Sequence, residues 1–226
     1  AYDAVNRDAS ARLAEAAAAE GIKRFVFLSS IRAQVGATSA LVQTELTPPA
    51  PTEAYGRSKL EAEGLVLKWL ARATILRPAV IVGPKPKGNM MTLLKLASLP
   101  VPLPFGALHA PQAMVSLDGV IDAVRMALAT PAMEGETFCL AETPHLSLTE
   151  VLAALRQGLG RPRWLWPVPA AVLSLPLKAL GKTAMADKLV GGLTVDASKV
   201  MALGWQPTEP MAAILQQIGA AHARRR

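Results

Sequence analysis

The sequence is short of most groups that build the commoner catalytic and binding centres. Its 226 residues contain a single cysteine, Cys139, so a disulfide-scaffolded fold is excluded and a reducing, cytoplasmic setting is expected. The three histidines, His109, His145 and His222, are far apart in the chain. No ligand pair has metal spacing, and no metal site is expected. Aromatics make up only 4% of the chain and the lysines and arginines are scattered, while three of the positive charges behind the net +7 are the terminal Arg224, Arg225 and Arg226. Nucleic acid is therefore not expected as a partner. There is no G-x-G-x-x-G and no G-x-S-x-G, and Gly181-Lys182-Thr183 has Pro176 where a phosphate-binding loop needs its first glycine. No run reaches the ~20 apolar residues of a membrane span. Residues 96–117 are broken by prolines and His109, and 164–177 read as a short, buried amphipathic segment, so membrane contact is not expected either.

What is present is a core-forming composition, 51% hydrophobic and 18% charged. The first twenty or so residues read as a helix, with Asp3 as its cap, Val5, Leu13 and Ala17 as its apolar positions and Gly21 as its stop. Arg24 to Leu28 is a compact β-rich run, closed by Ser29-Ser30. Residues 31–52 read as a long loop, of a size that is usually functional. Helical period returns from Glu53 to Leu70 with Leu60, Gly64, Leu67 and Ala71 on one face, and Ala73 to Leu76 is a second strand ended by Arg77-Pro78. This alternation is that of a parallel sheet covered by helices. Prolines then break the chain around one helix near Met90 to Leu99. Further on come a helix over Asp118 to Ala129, a strand at Thr137 to Leu140, and a helix over Leu148 to Leu159 capped by Ser147.

The chemistry concentrates in Tyr55-Gly56-Arg57-Ser58-Lys59. A tyrosine and a lysine four apart on a helix share one face, which brings an ammonium close to a phenol and favours its ionised form. Ser30 ends the strand before that helix and Arg77-Pro78 ends the strand after it. In open α/β folds ligands bind at such strand ends, where a Ser30 hydroxyl could meet Tyr55 over one substrate oxygen.

Asn6, Phe25-Val26-Phe27-Leu28-Ser29-Ser30, Glu45, Ala54 to Glu63, Leu76-Arg77-Pro78 with Gly83-Pro84, and Leu203-Gly204-Trp205-Gln206-Pro207 together resemble the extended short-chain dehydrogenase/reductase superfamily. Within it the chain is similar to the NAD-dependent epimerase/dehydratase family acting on nucleotide-diphosphate sugars. The resemblance implies an α/β fold: a Rossmann-type doubly wound parallel sheet, incomplete at its N-terminal strands, with a small C-terminal substrate-binding region. Residues 1–83 and 117–140 would form the Rossmann-type part, and 84–116 and 141–226 the substrate-binding part.

The resemblance further implies Tyr55 as general acid/base and Lys59 as the group that lowers its pKa and holds the cofactor ribose. Ser30 would bond the substrate oxygen, Pro78 would lead into the turn beside the nicotinamide, and Asn89 and Lys188 would reach the sugar-nucleotide phosphates. The cofactor would be NAD, with NADP left open, and the enzyme a homodimer. Two departures stand out. The glycine-rich cofactor turn of the family is not in the chain, so about the first eighty to ninety residues of such an enzyme are expected upstream and these residues alone are expected to be inactive. Pro111-Gln112 also stands where the family often has a phosphate-clamping arginine. The implied activity is 4-epimerisation, with a 4-keto-sugar reductase or a non-catalytic cofactor sensor as rivals. A 4,6-dehydratase would have Asp and Glu after its Ser/Thr, where this chain has Ile31-Arg32.

Overall fold

The computed structural model describes residues 2–181 and 183–224, apart from the side chains at 177, 178, 184 and 185; Lys182 of the Gly181-Lys182-Thr183 triplet lies outside them. The chain divides into two compact units. The first comprises Ala1–Ala79, Asp118–Ala141 and Val195–Gln206, and the second Val80–Leu117, Glu142–Thr194 and Pro207–Arg226. The segment Val195–Gln206 thus clusters with the first unit rather than with 141–226. Gln43 pairs with Val195, and the indole N–H of buried Trp205 donates to the Gly119 carbonyl at 2.8 Å.

The first unit is built on a parallel sheet of β1 (Val26–Leu28), β2 (Thr74–Pro78) and β6 (Thr137–Leu140), in the order β1-β2-β6. Leu28 pairs with Leu76 and Pro78 with Leu140, so the three C-terminal ends share one edge. Every residue of β2 is buried, as a central strand covered on both faces requires. Helices α1 (Ala9–Ala19) and α2 (Ala54–Trp69) pack on this sheet through Ala14, Phe27, Ala62, Val66, Ala73 and Ile75.

Several expectations change in detail. A π-helical segment, Asp3–Asp8, precedes α1, and Asp3 lies inside it and does not cap. Val5 and Leu13 are largely exposed and Ala14 is the residue that packs. On α2 the buried stripe is Gly56, Ser58, Ala62, Glu63 and Val66, and Gly64 is exposed. The stripe was misread because it contains a serine and a glutamate, which the apolar periodicity skips. The loop after Ser30 opens with a short 3₁₀ turn, Ile31–Ala33.

The second unit contains two strand pairs the sequence reading lacks: β3 (Val80–Val82) parallel to β5 (Met114–Ser116), and β4 (Pro111–Gln112) antiparallel to β7 (Leu146–Ser147). Strands of two or three residues are too short to show alternation. Its core is formed by α3 (Gly88–Ala97), α5 (Leu148–Gly158) and α9 (Met211–Ala223) around Leu94, Leu152, Leu155 and Leu215. The start of α5 is a reciprocal cap: the Ser147 hydroxyl oxygen accepts from the Glu150 amide, and the Glu150 carboxylate accepts from the Ser147 amide at 2.8 Å. The remaining helices are α4 (Leu117–Ala129) at the unit boundary, α6 (Ala170–Ala179) and α7 (Thr183–Val190) in the second unit, and α8 (Ser198–Met201) in the first.

Candidate active site at the edge of the parallel sheet

At the end of β1 the chain turns through Ser29 and Ser30. Ser30 is extended and caps the 3₁₀ turn, its oxygen accepting from the Arg32 amide at 3.2 Å. The hydroxyl proton of this half-buried residue has no acceptor among the described residues. The first turn of α2 lies directly against that turn: a Cβ at Gly56 would sit 2.1 Å from the Arg32 carbonyl oxygen. Only glycine permits that approach, and it brings Tyr55 beside the backbone that follows Ser30.

Tyr55 is half-buried and meets the Tyr2 ring edge-on, with centroids 5.6 Å apart. Asn6 donates to the Ser58 hydroxyl at 3.2 Å, and that hydroxyl donates to the Tyr55 carbonyl at 2.9 Å, which ties the N-terminal helical segment to α2. One turn after Tyr55, the Lys59 ammonium donates to the Leu28 carbonyl at 3.0 Å and lies 5.0 Å from the centre of the Phe27 ring. Burial holds its pKa below the ordinary lysine range, with the charge of Glu63 opposing the shift. Arg32 is likewise held below its ordinary value by burial, against the pull of Glu53 and Tyr55.

Beneath these groups lies a buried polar network. Arg77 donates to both oxygens of Glu63, at 3.0 and 2.6 Å, and to Gln34 Oε1 at 2.8 Å. The Ser29 hydroxyl also donates to Glu63. Gln34 Nε2 bonds the Thr44 carbonyl at 2.6 Å, and the Cys139 amide bonds Glu45 at 2.7 Å, so the loop after Ser30 is pinned to β2 and β6 by side chains. Glu63 and Gln34 were not singled out from the sequence. The available signal was a charged residue, Arg77, inside an otherwise apolar strand, since a buried charge requires a partner.

Ser30, Tyr55, Lys59 and Pro78 therefore all lie in the first unit, at or beside the sheet edge where the strands end. Asn89 and Lys188 belong to the second unit, exposed in the first turn of α3 and the last turn of α7. Asn89 is not a cap, because Lys87 occupies the N-cap position. Gln112, at the position of the expected arginine, donates to the Gly191 carbonyl at 2.8 Å and serves the fold of the second unit.

A family model described as the NAD dependent epimerase/dehydratase family matches residues 2–137. A UDP-glucose 4-epimerase of Vibrio cholerae is 32% identical over 219 residues, covering 93% of this chain and 66% of that protein. An N-acetyl-α-D-glucosaminyl-diphospho-ditrans,octacis-undecaprenol 4-epimerase of Escherichia coli O157:H7 is 27% identical over 186 residues, 80% of this chain and 54% of that protein. The chain thus spans about two thirds of the first relative's length and just over half of the second's. Among solved structures, a UDP-glucuronic acid 4-epimerase from Bacillus cereus in complex with NAD superposes with a TM-score of 0.75 at 18% identity, over 98% of this chain and 68% of that one.

Proposed function

As the chain belongs to the NAD-dependent epimerase/dehydratase family, we propose that it carries the catalytic residues of a sugar-nucleotide 4-epimerase working through transient oxidation at C4. The observation that carries this reading is the placement of Lys59: bonded to Leu28 at the end of β1, one turn from Tyr55, on a helix packed against the turn that Ser30 caps.

The donor set fits a nicotinamide dinucleotide on the side these residues face. Lys59 uses one of its three N–H donors on Leu28 and has no ion pair among the described residues, which leaves donors for a ribose diol. Lys59 and Tyr55 would hold that ribose, and Pro78 would border the nicotinamide. Bound NAD would supply reversible hydride transfer at C4, and inversion there requires the keto sugar to present its other face for the return. Tyr55 takes the proton of the C4 hydroxyl and later gives it back. The Ser30 hydroxyl donates to the same oxygen, while Lys59 stabilises the negative charge on Tyr55 during the transfer. Asn89 and Lys188 are the candidates for the sugar-linked diphosphate.

The name of the Escherichia coli relative supports a second substrate reading, a sugar joined through diphosphate to a polyprenol rather than to a nucleoside. The side-chain commitment of Gln112 also removes one route to nucleotide recognition. The test is to supply NAD and either UDP-N-acetylglucosamine or its polyprenol-diphosphate counterpart to the chain, alone and joined behind the glycine-rich segment of a family member. Appearance of the C4 epimer without net NADH consumption is expected from the joined form and not from the chain alone, and the preferred carrier separates the two substrates. Stoichiometric NAD(P)H oxidation on a 4-keto-6-deoxy sugar nucleotide, with no C4 epimer formed, would decide for a reductase.

A further inference from the structure

We propose that the second unit docks on the surface of an anionic lipid bilayer through the segment from Arg161 to Leu180. Single exposed apolar side chains are ordinary on soluble proteins, whereas clustered ones mark an interaction surface. Trp164, Trp166, Val172, Leu175 and Leu180 are 51%, 61%, 58%, 71% and 72% exposed within this one stretch.

The backbone pairing of the segment places Trp166 on the outside. Leu165 pairs with Leu103; the Leu103 amide donates to the Trp164 carbonyl at 2.9 Å and the Trp166 amide to the Leu103 carbonyl at 2.8 Å. Extended chain sends successive side chains to opposite sides. Leu165 packs on the core of the unit, so its neighbour Trp166 faces outward, and Trp164, whose backbone is not extended, is exposed as well. The strap lies close to its support, since a Cβ at Gly106 would fall 2.4 Å from the Leu165 carbonyl oxygen. Trp164 itself has φ +27°, a conformation that bulky residues rarely adopt.

Helix α6 follows Trp166 after three residues and adds further exposed apolar side chains. Ser174 is buried there, while Val172 and Leu175, one turn apart, are exposed where a solvated helix would present charge. No helix among the described residues is long and apolar enough to cross a membrane, so the contact is peripheral.

Charge identifies the occupant. Arg163 directly precedes Trp164, Arg161 lies two residues before Arg163, and neither arginine forms an ion pair among the described residues. They line a cavity of about 440 Å³ with Gln157, Gln216 and Glu150; one oxygen of the Glu150 carboxylate accepts from Ser147 at 2.7 and 2.8 Å, and its single negative charge leaves the two arginines in excess. Indoles at headgroup level, arginines for phosphates and aliphatic side chains for the acyl boundary are the parts of an interfacial anchor. A second copy of the chain would bring like charges together at this face. The proposal rests on the patch and is independent of the substrate readings.

The test is flotation of the 226-residue chain with phosphatidylethanolamine vesicles containing about 30% phosphatidylglycerol, against neutral phosphatidylcholine vesicles. The chain should bind the anionic vesicles at least about tenfold more tightly, with a blue shift of tryptophan emission. Trp164→Ser/Trp166→Ser should abolish both effects although Trp69 and Trp205 remain, and Arg161→Gln/Arg163→Gln should weaken binding by about fivefold per charge. Circular dichroism melts should show both double variants folded. Absence of flotation, or flotation unchanged in the tryptophan variant, overturns the proposal. So does a concentration-dependent dimer that the tryptophan substitutions dissolve while no vesicles are bound, because a second copy would then own the patch.

Discussion

Arg77 grips Glu63 by both carboxylate oxygens, and the pair is almost completely buried, with side chains 7% and 5% exposed. Glu63 stands one turn beyond Lys59 on α2 and also accepts from Ser29, so a single carboxylate joins the helix carrying Tyr55 and Lys59 to the ends of β1 and β2. The spacing between Ser30 and the Tyr55/Lys59 face is thus set by an ion pair that substrate need not touch. Arg77→Met leaves that carboxylate buried without its partner and should cost about 3–5 kcal/mol in urea unfolding. Arg77→Lys should recover only part of the loss, because an ammonium cannot make the two-point contact.

Tyr55→Phe removes a hydroxyl and keeps the ring that packs on Tyr2. In an assay-competent form of the protein, turnover should fall by about 100-fold or more. Thermal stability and NAD affinity should change little. Near-normal turnover would remove Tyr55 from the chemistry.

Lys59 supplies a pH signature. Its pKa is depressed in the folded chain, so the folded state binds this proton less readily than the unfolded state. Below the folded pKa both states are charged and folding bears the cost of burying the ammonium. As pH rises from the folded value to the unfolded value of about 10.4, that cost is relieved and stability increases. The melting temperature of Lys59→Met, measured relative to the unsubstituted chain, should therefore fall as pH rises through this window. A constant difference would contradict the assignment.

Cys139 is buried and its pKa is pushed up to about 12, first by burial and then by the charge of Glu45. At pH 8 the folded chain should not react with a thiol reagent, and denaturant should release one equivalent. Its contribution to stability is fully present below the unfolded thiol pKa of about 8.5 and is lost as pH rises toward the folded value. Cys139→Ala should lessen the alkaline decline in stability; an unchanged decline would mean that other groups cause it.

Gly56→Ala places a methyl group against the Arg32 carbonyl, where the clash involves backbone rather than a flexible side chain. About 1–3 kcal/mol of destabilisation is expected. Turnover should fall as well, since the first turn of α2 must move away from the Ser30 turn. Full activity in a destabilised variant would show that this close approach serves folding only.

Much of the order along the chain was readable before any coordinates. β6 spans the four residues of its short apolar run, β2 starts one residue inside its own, and α5 begins where Ser147 announces a cap. The register of Tyr55 and Lys59 on one face of α2 follows from a spacing of four in a helix. These features depend on residues near one another in sequence, where periodicity and capping act directly.

Contacts between distant segments could not be read in that way. Local pattern cannot tell that Glu63 belongs to the buried face of α2, because its burial depends on Arg77 of another strand. Nor can it tell that Leu165 turns inward while its neighbouring tryptophans turn outward, since Leu103 decides that. The sequence by itself determined the helix that bears the Tyr55/Lys59 pair and the strand ends beside it. Only the tertiary structure decided which charges are neutralised inside and which apolar side chains remain uncovered, because burial belongs to the packed chain and not to the residue.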